Sequence, residues 1–540
     1  MIMQHKLMRY VVSNISLPFN ASFEEAFSVA RAKLKKIGIS SSDFNFSVYR
    51  RSIDARKKHD IRFVYSILAS GYAPKIHENI LKTNGISIDI KSNPIVAYGN
   101  EKCNGRPIVV GTGPCGLFCA LLLAENGFRP IVIERGGSVA ERVYAISDFK
   151  KTRKLDVNTN IQFGAGGAGT FSDGKLITRI NDDLSSFVID KLVEFGAPTE
   201  ISYLARPHVG TDILMSVVEK AIGKIVELGG EVVYHNTFLG FESKNGRVSI
   251  VKTTKGDIEC SDLVLAIGHS ARDTYENLIK NGIPIEPKSF SVGMRIEHPT
   301  SIIDSAMYGD NAGNPILGHA EYNLSYNTKE RGVYTFCMCP GGVVVAATSE
   351  EGGVVSNGMS YHARDGRNSN SAVCCTIFKE DYGATPMHAI SFQRQIERAA
   401  FRAGGSDYSA PVITVGDFLN DKVGTTPSDV MPTYMDGTAF RLSSPKMFLP
   451  EFVINNIKNA IFDFDKKING FAFNNAILTG AETRTSAPVR ITRDQKLLTA
   501  IGYTNFYPAG EGAGYAGGIT SAAIDGVKTA LKIISKYSKI

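Results

Sequence analysis

Apolar and polar positions change rhythm along this chain, and each change marks a different kind of element. In the first hundred residues RYVVSNISL, FNFSVYRRSI and IRFVYSILAS alternate with period two and predict strands, while SFEEAFSVARAKLKKIG sets its apolar residues at helical spacing. Ser22 followed by Glu25 fits a capping box, and Gly38 stands where a left-handed residue closes a helix. The order strand, helix, strand, strand predicts a ferredoxin-like α/β unit over residues 1–98.

From Asn104 the rhythm becomes one of short apolar strands and helices separated by glycine-rich turns, the texture of an α/β nucleotide-binding core. Residues 231–268 then predict a meander: EVVYHNTFLGFES, an Asn245-Gly246 turn, VSIVKTT, a turn at Lys255-Gly256-Asp257, IEC, and the buried strand DLVLAIG. Residues 285–478 lack this texture and predict an α+β unit inserted into the core. The core is expected over 99–284 and again over 479–540.

The strongest chemical signal lies where this texture begins. In PIVVGTGPCGLFCALLLAENGFRPIVIERG a strand runs into Gly111-x-Gly113-x-x-Gly116, a helix follows, and a second strand ends at Glu134, 21 residues after Gly113. Gly111 permits the tight turn, Gly113 lets a pyrophosphate approach the backbone, and Gly116 lets helix and strand pack closely. The helix start supplies free N–H groups to phosphate, and an acid at the next strand end can accept from ribose hydroxyls. A second glycine cluster, FYPAGEGAGYAGGITSAAIDGVKTA, opens another helix after Gly517-Gly518. Two helix N-termini facing one extended cofactor suit FAD better than NAD.

Composition narrows the class without naming it. The chain of 540 residues is 43% hydrophobic and 21% charged, which supports a large folded core divided among several domains. Its longest apolar run, Leu117 to Ala124, is far below the roughly 20 residues of a membrane helix, and the N-terminus has no signal-peptide core, so a cytoplasmic protein is expected. The net charge of +7 is concentrated: residues 1–100 hold 15 Lys/Arg against 7 Asp/Glu. The run 49–58, with Tyr49 among its basic residues, opens a second reading, RNA association through residues 1–98. A solvated charged face is the plainer account. No paired CxxC knuckles occur among the eight cysteines, so a structural metal is not expected.

Taken together, the early fingerprint, LVLAIGHSARD and YPAGEGAGYAGG resemble the three FAD motifs of the glutathione-reductase-type flavoprotein superfamily. FGAGGAGTFSDGKL, SVGMRIEHP, FCMCPGG, ETRTSAPVRI and PAGEGAGYAGGI resemble, more closely, bacterial FAD-dependent dehydrogenases that carry a dedicated C-terminal domain. The resemblance runs from about 100 to 535 and extends to the N-terminal unit. It implies FAD held by Gly111, Gly113, Pro114, Gly116 and Arg135, with Glu134 at the adenosine ribose and Val232 near the adenine. It further implies Gly268 beside the flavin half and Gly510, Glu511, Gly517 and Gly518 in the second cradle. Glu511 departs from the Asp usual in the wider superfamily.

Around the expected flavin, NIQFGAGGAGTFSDGK brings Gly166, Gly167 and Thr170 near the pyrophosphate, with Ser172 or Lys175 as a contact to phosphate or flavin. Arg484, just before the core resumes, is a candidate fork for flavin or an acidic substrate; the competing reading is an ion pair with Glu482. His298 is a candidate proton carrier and is expected to share a strand face with Arg295. No second fingerprint for NAD(P)H appears in 270–480. NAD(P)H is therefore expected to dock transiently at the flavin face, unless electrons come from the substrate or a protein partner. The substrate itself, a small molecule, is not defined by these motifs, and a non-catalytic FAD-binding protein remains a third reading.

Cys337 and Cys339, in VYTFCMCPGG, are expected two apart on an extended strand, with same-face thiols and Cα atoms about 6.5–7 Å apart, too far for an unstrained disulfide. They pack the core or line a substrate wall.

Overall fold

In a computed structural model, described here for residues 6–73, 76–89, 93–178 and 182–540, the N-terminal unit is an antiparallel sheet of four strands. Their order is Asn45–Asp54, Arg62–Ala73, Lys6–Pro18, Ile86–Ile88. The helix Phe23–Lys36 buries Ala26, Ala30 and Leu34 and starts at the expected box: Ser22 accepts from the Glu25 N–H while the Glu25 carboxylate accepts from the Ser22 N–H. Gly38 takes φ +81° just beyond its end. With the short helix Glu78–Thr83 the order is βαββαβ, the split arrangement in which each crossover straddles another strand.

The core is built on a parallel sheet ordered Phe506–Pro508, Leu263–Leu265, Ile108–Val110, Ile131–Ile133, Glu231–Val233. Its central strands are apolar on both faces because helices Pro114–Glu125, Thr211–Glu227 and Ile519–Ile534 cover one side. The meander Phe238–Lys244, Arg247–Thr253, Gly256–Glu259 lies with the helix Arg272–Lys280 on the other. EVVYHNTFLGFES is thus two strands rather than one: Glu231–Val233 belongs to the parallel sheet, and the chain turns at His235, which has φ +51°, before entering the meander.

Between Leu265 and Phe506 in sequence lies a mixed sheet of seven strands. Its order is Ser325–Asn327, Gly332–Cys339, Asn368–Ile377, Phe290–Pro299, Ile477–Glu482, Ala410–Thr414, Phe440–Leu442. Helices Pro386–Ala403 and Glu451–Lys467 pack against it through Ile396, Ala400, Ile457, Ile461 and Phe464. No helix among the described residues is long and apolar enough to cross a membrane.

Candidate functional site

The carboxyl ends of the parallel strands meet at glycines, and these glycines fall into two physical kinds. Gly111 has φ +101°, and a Cβ there would lie 2.4 Å from the Ala266 carbonyl oxygen; a Cβ on Gly116 would lie 1.9 Å from the Gly111 oxygen. Both are demanded by the backbone and by packing. Gly113, by contrast, has φ −65° at the start of the helix Pro114–Glu125, and the nearest atom to its Cβ position, the Gly167 Cα, is 4.0 Å away. Gly517 and Gly518, before the helix Ile519–Ile534, likewise have no described atom within 4 Å of that position, and Gly518 is extended at φ 173°. At these three positions neither conformation nor packing asks for glycine. What they keep clear is space at two helix N-termini, where unpaired N–H groups and the positive dipole end favour a phosphate-bearing group.

Two further glycines close the floor. Gly268 adopts φ +68° after the strand Leu263–Leu265, and a Cβ on Gly512 would lie 2.5 Å from its oxygen. Tyr275 ties the pair together, donating to the Gly268 oxygen at 3.1 Å and to the Gly512 oxygen at 2.7 Å. Gly510 (φ +74°) packs on Cys115, whose Cβ would be 2.8 Å from a side chain there. Glu511 is half-buried; burial lifts its carboxyl to about 7, with Lys288 pulling the other way.

The loop of residues 160–175 forms the opposing wall. Gly166 (φ +83°) and Gly167 (φ +64°) bring the backbone to Gly113, whose Cα would be 2.9 Å from a Gly167 Cβ. Arg142, wholly buried, holds this loop. Its guanidinium donates to the carbonyls of Asn160, Ile161, Ala165 and Gly167 at 2.5–3.2 Å and lies 4.6 Å from the Phe171 ring centre, and burial lowers its pKa to about 9. Thr170 is buried here with its hydroxyl unpartnered among the described residues.

Glu134 ends its strand as expected, but its carboxylate already accepts from the Thr112 N–H (3.0 Å) and hydroxyl (2.6 Å) and from the N–H groups of Gly136 and Gly164 (both 3.0 Å). Arg135 donates to both Asp273 oxygens at 3.0 Å and stacks over Phe163 at 4.4 Å. Val232 is half-buried beside Val132. Lys175 is held by Asp173 (2.9 Å) and Glu321 (3.1 Å) rather than standing free. Asp173 also receives Ser360 and a two-pronged contact from Arg364, and Ser172 turns back to the Gly169 carbonyl.

The candidate catalytic groups divide. Arg484 is buried and pairs with Glu397 (3.1 and 3.2 Å), not with Glu482; the latter belongs to Arg295. A further Arg484 nitrogen donates to Ser270 at 3.0 Å and to Ser349 at 2.5 Å. Ser270 in turn donates to Gln162 and bonds to the Nδ1 of His269 at 2.9 Å. His269 follows Gly268 at the end of a central parallel strand. Burial, together with the charges of Arg484 and Arg272, lowers its pKa to about 3, so its ring stays neutral at physiological pH. Sequence reasoning passed over it, although its position one residue past a predicted strand end was the available signal. Arg142 and Glu397 left no such trace.

His298 is far from this constellation. It is wholly buried, its Nε2 lies 2.8 Å from the Phe471 carbonyl, its Nδ1 is unpartnered, and burial lowers its pKa to about 4. It stands three positions after Arg295, an odd offset that puts the two on opposite strand faces, contrary to the expected shared face. Arg295 shares its face with Glu297 and reaches Glu482, Asn370, Asn357 and the Cys337 carbonyl.

The cysteines depart from a straight strand. Phe336 pairs with Ala372 but Cys339 pairs with Asn370, so three steps on one strand match two on its neighbour, and Cys337 takes the left-handed φ of +47°. This is a bulge, and it turns the Cys339 sulfur back to the Cys337 carbonyl, to which it bonds at 3.3 Å.

The basic run 49–58 is partly committed within the chain. Arg51 exchanges backbone bonds with Tyr203 and Ala205 and stacks over Phe63 at 4.8 Å, Arg56 pairs with Asp54, and the Lys58 carbonyl receives Asn311. Among the described residues, no group of three or more His, Cys, Asp or Glu is placed to hold a metal ion.

A glycine-opened double cradle on a parallel sheet, with room at two helix starts, fits FAD, and the class defined here is that of the FAD-dependent oxidoreductases. Residues 289–485 match the model for the C-terminal domain of FAD-dependent proteins, residues 109–172 that for an NAD(P)-binding Rossmann-like domain, and residues 9–70 that for a domain of unknown function. An uncharacterised protein of Clostridium beijerinckii is 47% identical over 524 residues, spanning 96% of this chain and 98% of that one. The chain belongs to this family of FAD-dependent proteins. Distant likenesses to solved structures include L-proline dehydrogenase from P. horikoshii (TM-score 0.33, 16% identity, 80% of this chain and 94% of that one). Glycine oxidase from Bacillus cereus is another (TM-score 0.34, 9% identity, 80% and 95%).

Proposed function

We propose that the protein transfers a hydride between FAD and a small-molecule substrate held between the flavin cradle and the seven-stranded sheet. The observation that carries this reading is the space kept clear at Gly113, Gly517 and Gly518, where glycine serves no need of the protein's own backbone. When bound, FAD supplies the redox chemistry; the chain supplies position, electrostatics and exclusion of water.

In this reading the pyrophosphate lies across the starts of helices Pro114–Glu125 and Ile519–Ile534. Thr170, buried and unpartnered, offers it a hydroxyl. Glu134 organises the turn at Thr112 and the loop at Gly164 around the adenosine half, and its carboxylate meets the ribose only by exchanging one of these bonds. His269, fixed through Ser270 by Arg484, presents a neutral ring at the flavin end and is better suited than His298 to accept a hydrogen bond or a proton there. The charge network Asp173–Arg364–Glu321–Lys175 joins the glycine loop to segments 321 and 360–364 and fixes the distance between cradle and sheet.

The test is anaerobic reduction of the purified holoprotein with NADH, NADPH and a panel of metabolites, followed by absorbance. Yellow protein that bleaches with one of them and recovers with an acceptor is the expected result. A preparation that binds no flavin overturns the reading, and flavin that no donor reduces reassigns the protein to non-catalytic FAD binding.

A further inference from the structure

Cys337 is half-buried and Cys339 fully buried, and the bulge folds the Cys339 side chain back onto residue 337. The Cys339 sulfur also bonds to the Cys337 carbonyl at 3.3 Å, and Arg295 donates to that same carbonyl at 3.0 Å from the adjacent strand. A Cβ placed on Gly358 would be 2.2 Å from an Arg295 nitrogen and 2.9 Å from the Cys339 sulfur, so the small residue lets guanidinium and thiol share one pocket. The charged groups bearing on Cys337 are Arg295 on the strand Phe290–Pro299 and Asp173 and Lys175 on the loop beyond the flavin-facing glycines. The neighbouring Cys339 thiol lowers the pKa of Cys337, and Arg295 adds to the effect against the opposing cost of burial; the Cys337 thiol and burial raise that of Cys339. The other cysteine that is not buried, Cys103, shows the opposite: burial raises its pKa. A half-buried thiol of lowered pKa beside a fully buried thiol of raised pKa is the asymmetry that thiol–disulfide exchange uses.

We propose that Cys337 and Cys339 form a thiol–disulfide exchange centre, with Cys337 attacking and Cys339 resolving, that takes a low-molecular-weight disulfide. The Cys337 thiolate bonds to one sulfur of the substrate and breaks its S–S bond; the departing thiolate takes a proton from solvent. Cys339 then loses its proton to the second departing thiolate as its sulfur bonds to Cys337. The net change is one substrate disulfide reduced to two thiols and one Cys337–Cys339 disulfide formed. Two electrons pass from the cysteine pair to the substrate. This step does not rest on the flavin reading, because the substrate disulfide is itself the oxidant.

The test treats the full-length reduced protein with oxidised glutathione, the probe disulfide, and reads intact mass, thiol count and peptide linkage, with flavin content measured separately. The expected result is the loss of two thiols without retained glutathione, a Cys337–Cys339 link in the peptide map, and reversal by dithiothreitol. Cys339→Ser is expected to hold one glutathione on Cys337, and Cys337→Ser none on Cys339. In the unmodified sequence, Cys337 is expected to react with iodoacetamide at pH 7 roughly tenfold faster than Cys103. Linkage or glutathione found only on other cysteines, or equal alkylation of Cys337 and Cys103, overturns the proposal without bearing on FAD binding.

Discussion

The two walls of the proposed active cleft are made differently. The cradle wall is backbone: glycines, helix starts and carbonyls, shaped by left-handed turns at Gly111, Gly166, Gly167 and Gly268. The sheet wall is charge. Arg295 with Glu482 on the sheet, and Arg272 and Arg484 with Glu397 where the helices Arg272–Lys280 and Pro386–Ala403 meet its edge, are buried and bond to one another at 2.7–3.2 Å. The first wall is kept open by what side chains are absent. The second holds its shape only while every buried charge keeps its partner, since an unpaired ion in such surroundings is far costlier than a paired one. Substitutions should therefore act in opposite ways on the two walls: additions harm the cradle, deletions harm the sheet.

Glu397→Ala is expected to have the largest effect. It strips two buried guanidinium groups of their shared carboxylate, and a loss of about 3–5 kcal/mol in urea unfolding is the expected outcome. Next, Gly116→Ala forces a methyl to within 1.9 Å of a backbone oxygen, and a cost of about 1–3 kcal/mol or more follows from overpacking. A third measurement probes the seven-stranded sheet by pH. His298 has a folded pKa of about 4, below its unfolded value, so its contribution is intact above the unfolded pKa and declines as pH falls through that window. The slope is about 1.4 kcal/mol per pH unit, and His298→Gln should reduce it. Smallest on stability is Gly113→Ala, which meets nothing closer than 4.0 Å; unfolding should shift by less than about 0.5 kcal/mol while FAD affinity falls. Equal destabilisation by the alanines at 113 and 116 would erase the distinction between the two kinds of glycine.

Legibility in the sequence followed the same divide. The cradle is readable because its chemistry is local: strand, glycine turn, helix and acid occupy consecutive positions, and Gly111 and Gly116 stand where their geometry requires, as Ser22 and Gly38 do in the N-terminal unit. The sheet wall is not, because its partners are distant in the chain. Arg484 meets Glu397 across 87 positions and Arg295 meets Glu482 across 187, and no spacing rule singles out either pair. The nearer candidate, Glu482, was the natural choice for Arg484, but the register of Ile477–Glu482 against Phe290–Pro299 delivers it to Arg295. At FCMCPGG the strand was legible and the bulge was not, since nothing but the mismatch with Asn368–Ile377 reveals the extra residue. The two cysteines that a straight strand would hold apart are drawn together on the bulged one, where the Cys339 sulfur reaches the Cys337 carbonyl.

Arg142 draws these threads together. Its nitrogens are directed at carbonyls of one loop, so the chain carries its own internal ion there, covalently tethered and shielded from solvent. Such a tethered ion cannot be washed out by chelators or diluted away, and added electrolyte does not compete with it. The glycine loop is cast around a mould that arrives with the helix Val139–Thr152, a shape fixed from within the chain.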